Sequence, residues 1–393
     1  MHLNREGYEK GRADGFQRGR QEGFARGLED ASRMRNAAPV SMISEKWRDY
    51  RFSEKLAGHF GSSVALVEEN QECLKETDKS SIWKLEIRTV TQTVPLILKI
   101  FKAPIEGPKW IELNTYRKAS LLLSDLMPAV YWTEDVPDTN EVWAILEYVP
   151  QLKGQIIFTP DCFDKIIPSL AKLHARTHND RLFERWDLFS EWLPLYHSDT
   201  AIAERVQTRD RTLEYLDKAM EHPEWRSKLK PQYDRLQRLL SSGPEYFPEL
   251  AQAGKSVIHN DLQTPNIGCG NVQEESWNLK FLDWEGARFA PCWFDMFNLI
   301  GIFFAYRKDW RSAEEEVVAR CAPLYASEMS KHGVRFEGDP VRLYKMAYLQ
   351  RVLEKSLFLQ LQWAVEAQKP AFLLDGYLDK IKGWGKELGL HVK

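Results

Sequence analysis

The chain is poor in several features that would otherwise assign it to a class. Its 393 residues hold five cysteines (Cys73, Cys162, Cys269, Cys292 and Cys321), an odd number with no Cys-x-x-Cys pair. That pattern supports neither a zinc site nor a disulfide framework and points to a reducing cytoplasm. Long apolar runs are missing too. The stretch from Leu299 to Tyr306 is far too short to span a bilayer, and the N-terminus lacks the apolar core of a signal peptide. Charge of one sign is also lacking. Lys and Arg total 54 against 57 Asp and Glu, a net charge of −3, which gives no field for nucleic acid. No Gly-x-Gly-x-x-Gly is present. What remains is a chain long enough to build two substantial cores.

The first 40 residues stand apart. Gly7, Gly11, Gly15, Gly19, Gly23 and Gly27 recur every four residues, with Tyr8, Phe16 and Phe24 after alternate glycines and charged or amide residues between. A period of four drifts slowly around an α-helix, so the glycines would line one winding groove that admits a second helix. Each glycine costs about 1 kcal/mol relative to alanine, which leaves a lone helix marginal. The segment is therefore either a self-association or docking helix over residues 5–30 or a disordered polar leader. Asn36-Ala37-Ala38-Pro39 reads as the linker to the folded part.

The most specific chemistry lies in His259-Asn260-Asp261-Leu262-Gln263-Thr264-Pro265-Asn266, followed by Phe281-Leu282-Asp283-Trp284-Glu285. Ser256-Val257-Ile258 before it is β-branched, and Asn278 to Leu282 alternates as a half-buried strand does. Strand, polar loop, strand, acidic end is a layout that gathers Asp261, Asn266 and Asp283 around one ion. Phosphoryl transfer from a nucleotide needs this set: one carboxylate to orient the attacking hydroxyl and take its proton, and an amide with a second carboxylate to hold magnesium.

These motifs resemble the aminoglycoside phosphotransferase and choline kinase group over roughly residues 45 to 390. Asn260 and Glu285 lean toward the choline and amino-alcohol branch, and Phe294-Asp295-Met296-Phe297-Asn298-Leu299 resembles the group's Phe-Asp-[Leu/Ile]-Ala segment, in which the Asp braces the catalytic loop. The resemblance implies an α+β, two-lobed protein-kinase-like fold. It has a small N-terminal lobe with an antiparallel sheet (41–148, after the tail at 1–40) and a larger, mainly helical C-terminal lobe (149–393). It implies an ATP- and Mg2+-dependent transfer of the γ-phosphate to a hydroxyl of a small molecule of aminoglycoside, amino-alcohol or sugar type. Asp261 would be the base, His259 a brace, and Asn266 and Asp283 the magnesium ligands.

Upstream features fit that frame. Val94 to Phe101 is an apolar strand with one lysine, Lys99, which needs an anionic partner if buried. Glu112, on a plausible amphipathic helix about a dozen residues later, matches the group's partner for that lysine. Val142 to Pro150 reads as a buried strand ended by proline, and its Glu147, Tyr148 and Val149 would present backbone groups to adenine. Ser80 and Ser81 lie where the group covers the phosphates, and the same residues also suit an ordinary hairpin turn. Ser169 to Ala175 resembles the group's Leu-Ala-x-Leu-His-Ala helix, with His174 read as a packing residue.

The rest of the C-terminal half reads as helices: one capped by Asp199-Thr200 and running to about Met220, then Pro223 to Leu240, Ala313 to Ser330, and Pro340 to Ala367. Trp186, Trp192, Tyr196, Trp225, Trp293, Trp310, Tyr344 and Trp363 are read mainly as core, although aromatic faces also suit a quaternary amine. Two other classes remain open. One is a nucleotide-binding pseudokinase assembled through the tail. The other is a protein kinase, which the lack of an Asp-Phe-Gly to Ala-Pro-Glu segment opposes.

Overall fold

Alternation along Ser80–Arg88 sets the first unit. Ser81, Trp83, Leu85 and Ile87 point one way and bury, while the residues between them are partly exposed. In the computed structural model, which describes residues 42–367 and 370–390, this segment is one strand of a six-stranded antiparallel sheet. The N-terminal tail and its glycine repeat lie outside the described residues. In chain order the first unit holds helices α1 (42–49) and α2 (Phe52–Phe60), then strands β1 (Ala65–Leu66), β2 (Glu72–Glu76), β3 (Ser80–Arg88), β4 (Thr93–Phe101), β5 (Val130–Val136) and β6 (Glu141–Glu147). The sheet order is β1-β3-β4-β6-β5, with β2 also paired to β3. Pro95 is tolerated in β4 because pairing with β6 begins only at Leu96. The helices cover one face, where Phe52 stacks on Trp143 at 5.9 Å and joins Trp47, Leu56, Leu85, Leu98 and Ile145 in a core.

This unit comprises the described residues up to Ile105 together with Val130–Tyr148, and the chain passes to the second unit at Val149. The segment Glu106–Ala129 belongs to the second unit. Its helix α3 (Pro108–Asn114) starts with a proline in its first turn, packs against the turn Trp284–Gly286, and runs on into a widened π turn at Thr115–Ala119.

The second unit is mainly helical. Helix α4 (Phe163–Arg176) buries Ile166, Leu170, Leu173 and His174, and it packs against Glu314–Lys331. Asp199–Glu221 forms as the spacing predicts, but its cap is Ser198, whose hydroxyl accepts from the Ala201 amide (3.3 Å), rather than Asp199 or Thr200. The predicted helix from Pro223 to Leu240 is two, Pro223–Leu229 and Tyr233–Ser241. Pro231, without an N–H, sits in the 3-10 turn between them. Pro340–Arg351 and Leu357–Glu366 continue one another through a π turn at Val352–Ser356. Two short ribbons complete the unit: β7 (Lys255–Ile258) with β10 (Arg288–Pro291), and β8 (Ile267–Cys269) with β9 (Leu279–Phe281). No described helix is long and apolar enough to cross a membrane.

Beside β7, His178 Nδ1 lies 3.2 Å from Ser256 Oγ. Burial, then the charges of His174 and Arg181, lower its pKa to about 4. The unfolded chain protonates near pH 6.5, so between those values the unfolded state binds more protons. Its contribution to stability is complete above about pH 6.5 and is lost as the pH falls toward 4. Urea midpoints measured across this window should fall with pH, and less steeply in His178→Gln. Equal slopes would show that another group sets the dependence.

Candidate active site

Asp295 organises the polar loop. It lies in the short helix Trp293–Met296 and is fully buried. Oδ2 accepts the His259 amide and Oδ1 the Asn260 amide, each at 2.7 Å. His174 Nε2 donates to Oδ2 at 3.2 Å, and Asn298 Nδ2 to Oδ1 at 3.2 Å. Burial alone would raise this carboxyl. The His174 hydrogen bond, the charges of His174 and His259 and the His259 amide outweigh it, so the group sits below the usual carboxylate range. His174 Nδ1 meets the Tyr325 hydroxyl at 2.7 Å, so the histidine is fixed from both ends and braces Asp295.

With its amide held, Asn260 turns into the left-handed region (φ 64°), a conformation asparagine tolerates better than most residues. Close by, a Cβ on Gly286 would meet the His259 carbonyl at 3.0 Å, which explains the glycine. His259 Nε2 donates to the Leu282 carbonyl (2.8 Å), and the Leu282 amide donates to the Asn266 carbonyl (2.8 Å). Leu282 thus ties the strand end to both sides of the loop. Asp283 follows at φ 62° and ψ 68°, immediately before the turn Trp284–Gly286.

Asp261 is held at the loop tip, half-buried. Gln263 Nε2 donates to Oδ1 (2.6 Å), and Asn266 Nδ2 donates to Oδ2 (3.0 Å) and to the Asp261 carbonyl (2.8 Å). With both hydrogens of its amide spent on Asp261, Asn266 has Oδ1 as its remaining ligand atom. An amide oxygen and a carboxylate are hard donors suited to magnesium, which takes few protein ligands and completes its shell with phosphate and water. The residues present fit such an ion. Among the described residues no group of three or more His, Cys, Asp and Glu side chains forms a metal cage.

Glu112 and Tyr116 were only half visible in the sequence. Glu112 is buried on α3, and the Tyr116 hydroxyl one turn later donates to its Oε1 at 2.6 Å. Burial, then Glu112, then the charge of Asp283 raise the tyrosine pKa well above its usual value, so this pair lies in the field of the Asp283 turn. The i, i+4 spacing was the available signal for Tyr116. Tyr116→Phe removes a donor from a buried carboxylate and should lower stability by about 1–3 kcal/mol, read from the urea midpoint. An unchanged midpoint would show that the hydroxyl does not support Glu112.

The other candidates are placed as follows. Lys99 is buried on β4 in the first unit, opposite Ile82 and Ala144 in the register. Ser80 and Ser81 open β3. The Ser80 amide donates to Thr77 Oγ1 (3.0 Å), and Ser81 is buried with its hydroxyl accepting from Trp83 Nε1 (3.3 Å). The first contact closes the hairpin between β2 and β3, and the second lies within β3. Glu147 ends β6, and Lys84 lies 4.9 Å over the Tyr148 ring. In the second unit, Val149 packs so closely on β8 that a Cβ on Gly268 would meet its Cγ1 at 2.8 Å. Of the aromatics, Trp192, Tyr196, Trp293 and Tyr344 are buried core residues.

No family model matches the chain, and no curated protein matches it in sequence. Solved structures do resemble it. Choline kinase from Cryptosporidium parvum Iowa II superposes with a TM-score of 0.52 at 14% identity, covering 82% of this chain and 90% of that one. Ethanolamine kinase from Plasmodium vivax gives 0.48 at 14% identity, covering 81% and 82%. The chain therefore has the two-lobed kinase-like fold expected from its motifs, with an antiparallel sheet in the small N-terminal lobe and helices dominating the other.

Proposed function

We propose that the protein is a small-molecule kinase, moving the γ-phosphate of ATP to a hydroxyl of a small acceptor. The observation that carries this reading is Asp261. Its two carboxylate oxygens and its carbonyl each receive a side-chain amide N–H from Gln263 or Asn266, and the loop bearing it hangs by two amides from buried Asp295. A carboxylate fixed this way is oriented before substrate arrives, as a general base must be.

In the mechanism that follows, the acceptor hydroxyl donates its hydrogen bond to Asp261, which takes the proton as the oxygen attacks the γ-phosphorus and the bond to the β–γ bridging oxygen breaks, releasing ADP. Magnesium, when bound by Asn266 and Asp283, neutralises charge that builds on the phosphate oxygens. Lys99 supplies a cation for the α- and β-phosphates. Glu147, Tyr148 and Val149 offer backbone groups to the adenine, and the Thr77–Ser80 hairpin offers polar groups to the phosphates. His259 holds the Leu282 carbonyl and keeps Asp283 in register with Asn266.

The test is magnesium-dependent ADP release against a panel of amino-alcohols, aminoglycosides, sugars and acidic alcohols. Release stimulated by an acceptor supports the reading. Thermal stabilisation by ATP with no turnover on any acceptor would replace it with a nucleotide-binding pseudokinase.

A further inference from the structure

The second unit holds a polar cavity that the Asp261 loop does not use. Its volume is about 280 Å3, and its charged lining is Arg205, Arg288, Arg351 and Lys355 against Glu204 and Glu354. Four cations thus meet two carboxylates. Glu354 is already committed: Arg351 Nη1 donates to Oε1 (2.6 Å), and the Tyr196 hydroxyl (2.7 Å) and Gln350 Nε2 (3.2 Å) donate to Oε2. Glu204 is exposed. Among the described residues neither Arg205 nor Arg288 has an ion-pair partner. Arg205 Nη1 donates only to the Tyr196 carbonyl (2.6 Å), and the Nε atoms of Arg205, Arg288 and Arg351 are all buried without a hydrogen-bond partner. Buried guanidinium groups with unused donors are costly unless an anion meets them, and their planar forks suit an oxyanion.

The cavity is tied to the Asp261 loop through β10. Arg288 pairs in register with Ile258, the residue immediately before His259. Lys355 feels the charge of Asp261. Burial, then Arg351 and Arg288, lower the pKa of its ammonium, while Glu354 and Asp261 oppose them.

We propose that this cavity binds an anionic group of the acceptor, a phosphate, sulfate or carboxylate, while the acceptor's hydroxyl reaches Asp261. The role of that hydroxyl rests on the kinase reading above; anion binding does not. A cationic acceptor fits poorly. Two aromatic residues line it, and each already has a guanidinium over its ring: Arg205 over Tyr196 at 3.6 Å and Arg211 over Phe358 at 4.5 Å. An ammonium would also add charge to a lining that is already net positive.

The test joins titration calorimetry with sodium sulfate to ADP release with glycerol 3-phosphate, glycerate, choline and kanamycin. The proteins are the full chain, Arg288→Gln and Lys355→Met, with folding checked by circular dichroism. We expect saturable sulfate binding, weakened about tenfold or more in each variant, and ADP release stimulated by the acidic alcohols. Lys355→Met nearly keeps the length of the side chain and removes its charge, so this variant carries the test if Arg288→Gln misfolds. Sulfate binding that the variants weaken, with no acceptor turned over, would leave the anion cavity standing and sink the kinase reading. Turnover of choline or kanamycin alone, with no variant-sensitive sulfate binding, would do the reverse. Absence of saturable binding, or binding equal in all three proteins, overturns the proposal.

Discussion

Asp295→Asn should cost about 3–5 kcal/mol of folding stability, the range for removing one partner from a buried charged network. The substitution puts an NH2 where Asp295 now accepts the His259 or Asn260 amide, so two donors face each other in the core. It also removes the anion that His174 holds. Because whole domains are stable by only about 5–15 kcal/mol, the urea midpoint should fall by a large fraction of its value. Any folded remainder should show the polar loop released. Unfolding at the wild-type urea concentration would mean that the loop is held by the strands around it and not by the buried carboxylate.

The second large effect is on rate. Asp261→Asn should reduce acceptor-stimulated turnover by about 10²–10⁴-fold, the usual contribution of a positioned general base. Nucleotide affinity should stay close to wild type, because the loop hangs from Asp295 rather than from Asp261. The new amide would turn one NH2 toward Gln263 or Asn266, which now donate to the carboxylate, so a small loss of stability accompanies the change. A drop in turnover of less than tenfold would move the base elsewhere.

What the sequence made legible was local in the chain. His259, Asp261, Asn266 and Asp283 lie within 25 residues. Their flanking strands carry β-branched and alternating patterns, so the loop could be drawn before the fold was known. Lys99 was visible as the one charge in an apolar strand. Ser81 shows a signal that was present and underused. It shares parity with Trp83, Leu85 and Ile87, so the alternation that makes the strand also turns its hydroxyl inward. The break at Pro231 was equally readable from its missing N–H. The cationic cavity was not readable at all. Arg205 comes from a long helix, Arg288 from a strand, and Arg351, Glu354 and Lys355 from the helix and π turn over Pro340–Ser356, and no spacing rule joins segments so far apart. The membership of α3 in the second unit was hidden for a similar reason. Its place depends on packing against Trp284–Gly286, which lies far along the chain.

The most direct measurement of the central claim is a 31P NMR spectrum of magnesium ATP incubated with the protein and the acceptor panel, repeated with Asp261→Asn. Phosphoryl transfer predicts a new phosphomonoester signal that grows as the β- and γ-phosphate signals of ATP are replaced by those of ADP, and that the variant fails to produce. Inorganic phosphate as the only product, or a phosphomonoester formed equally by the variant, would contradict the account.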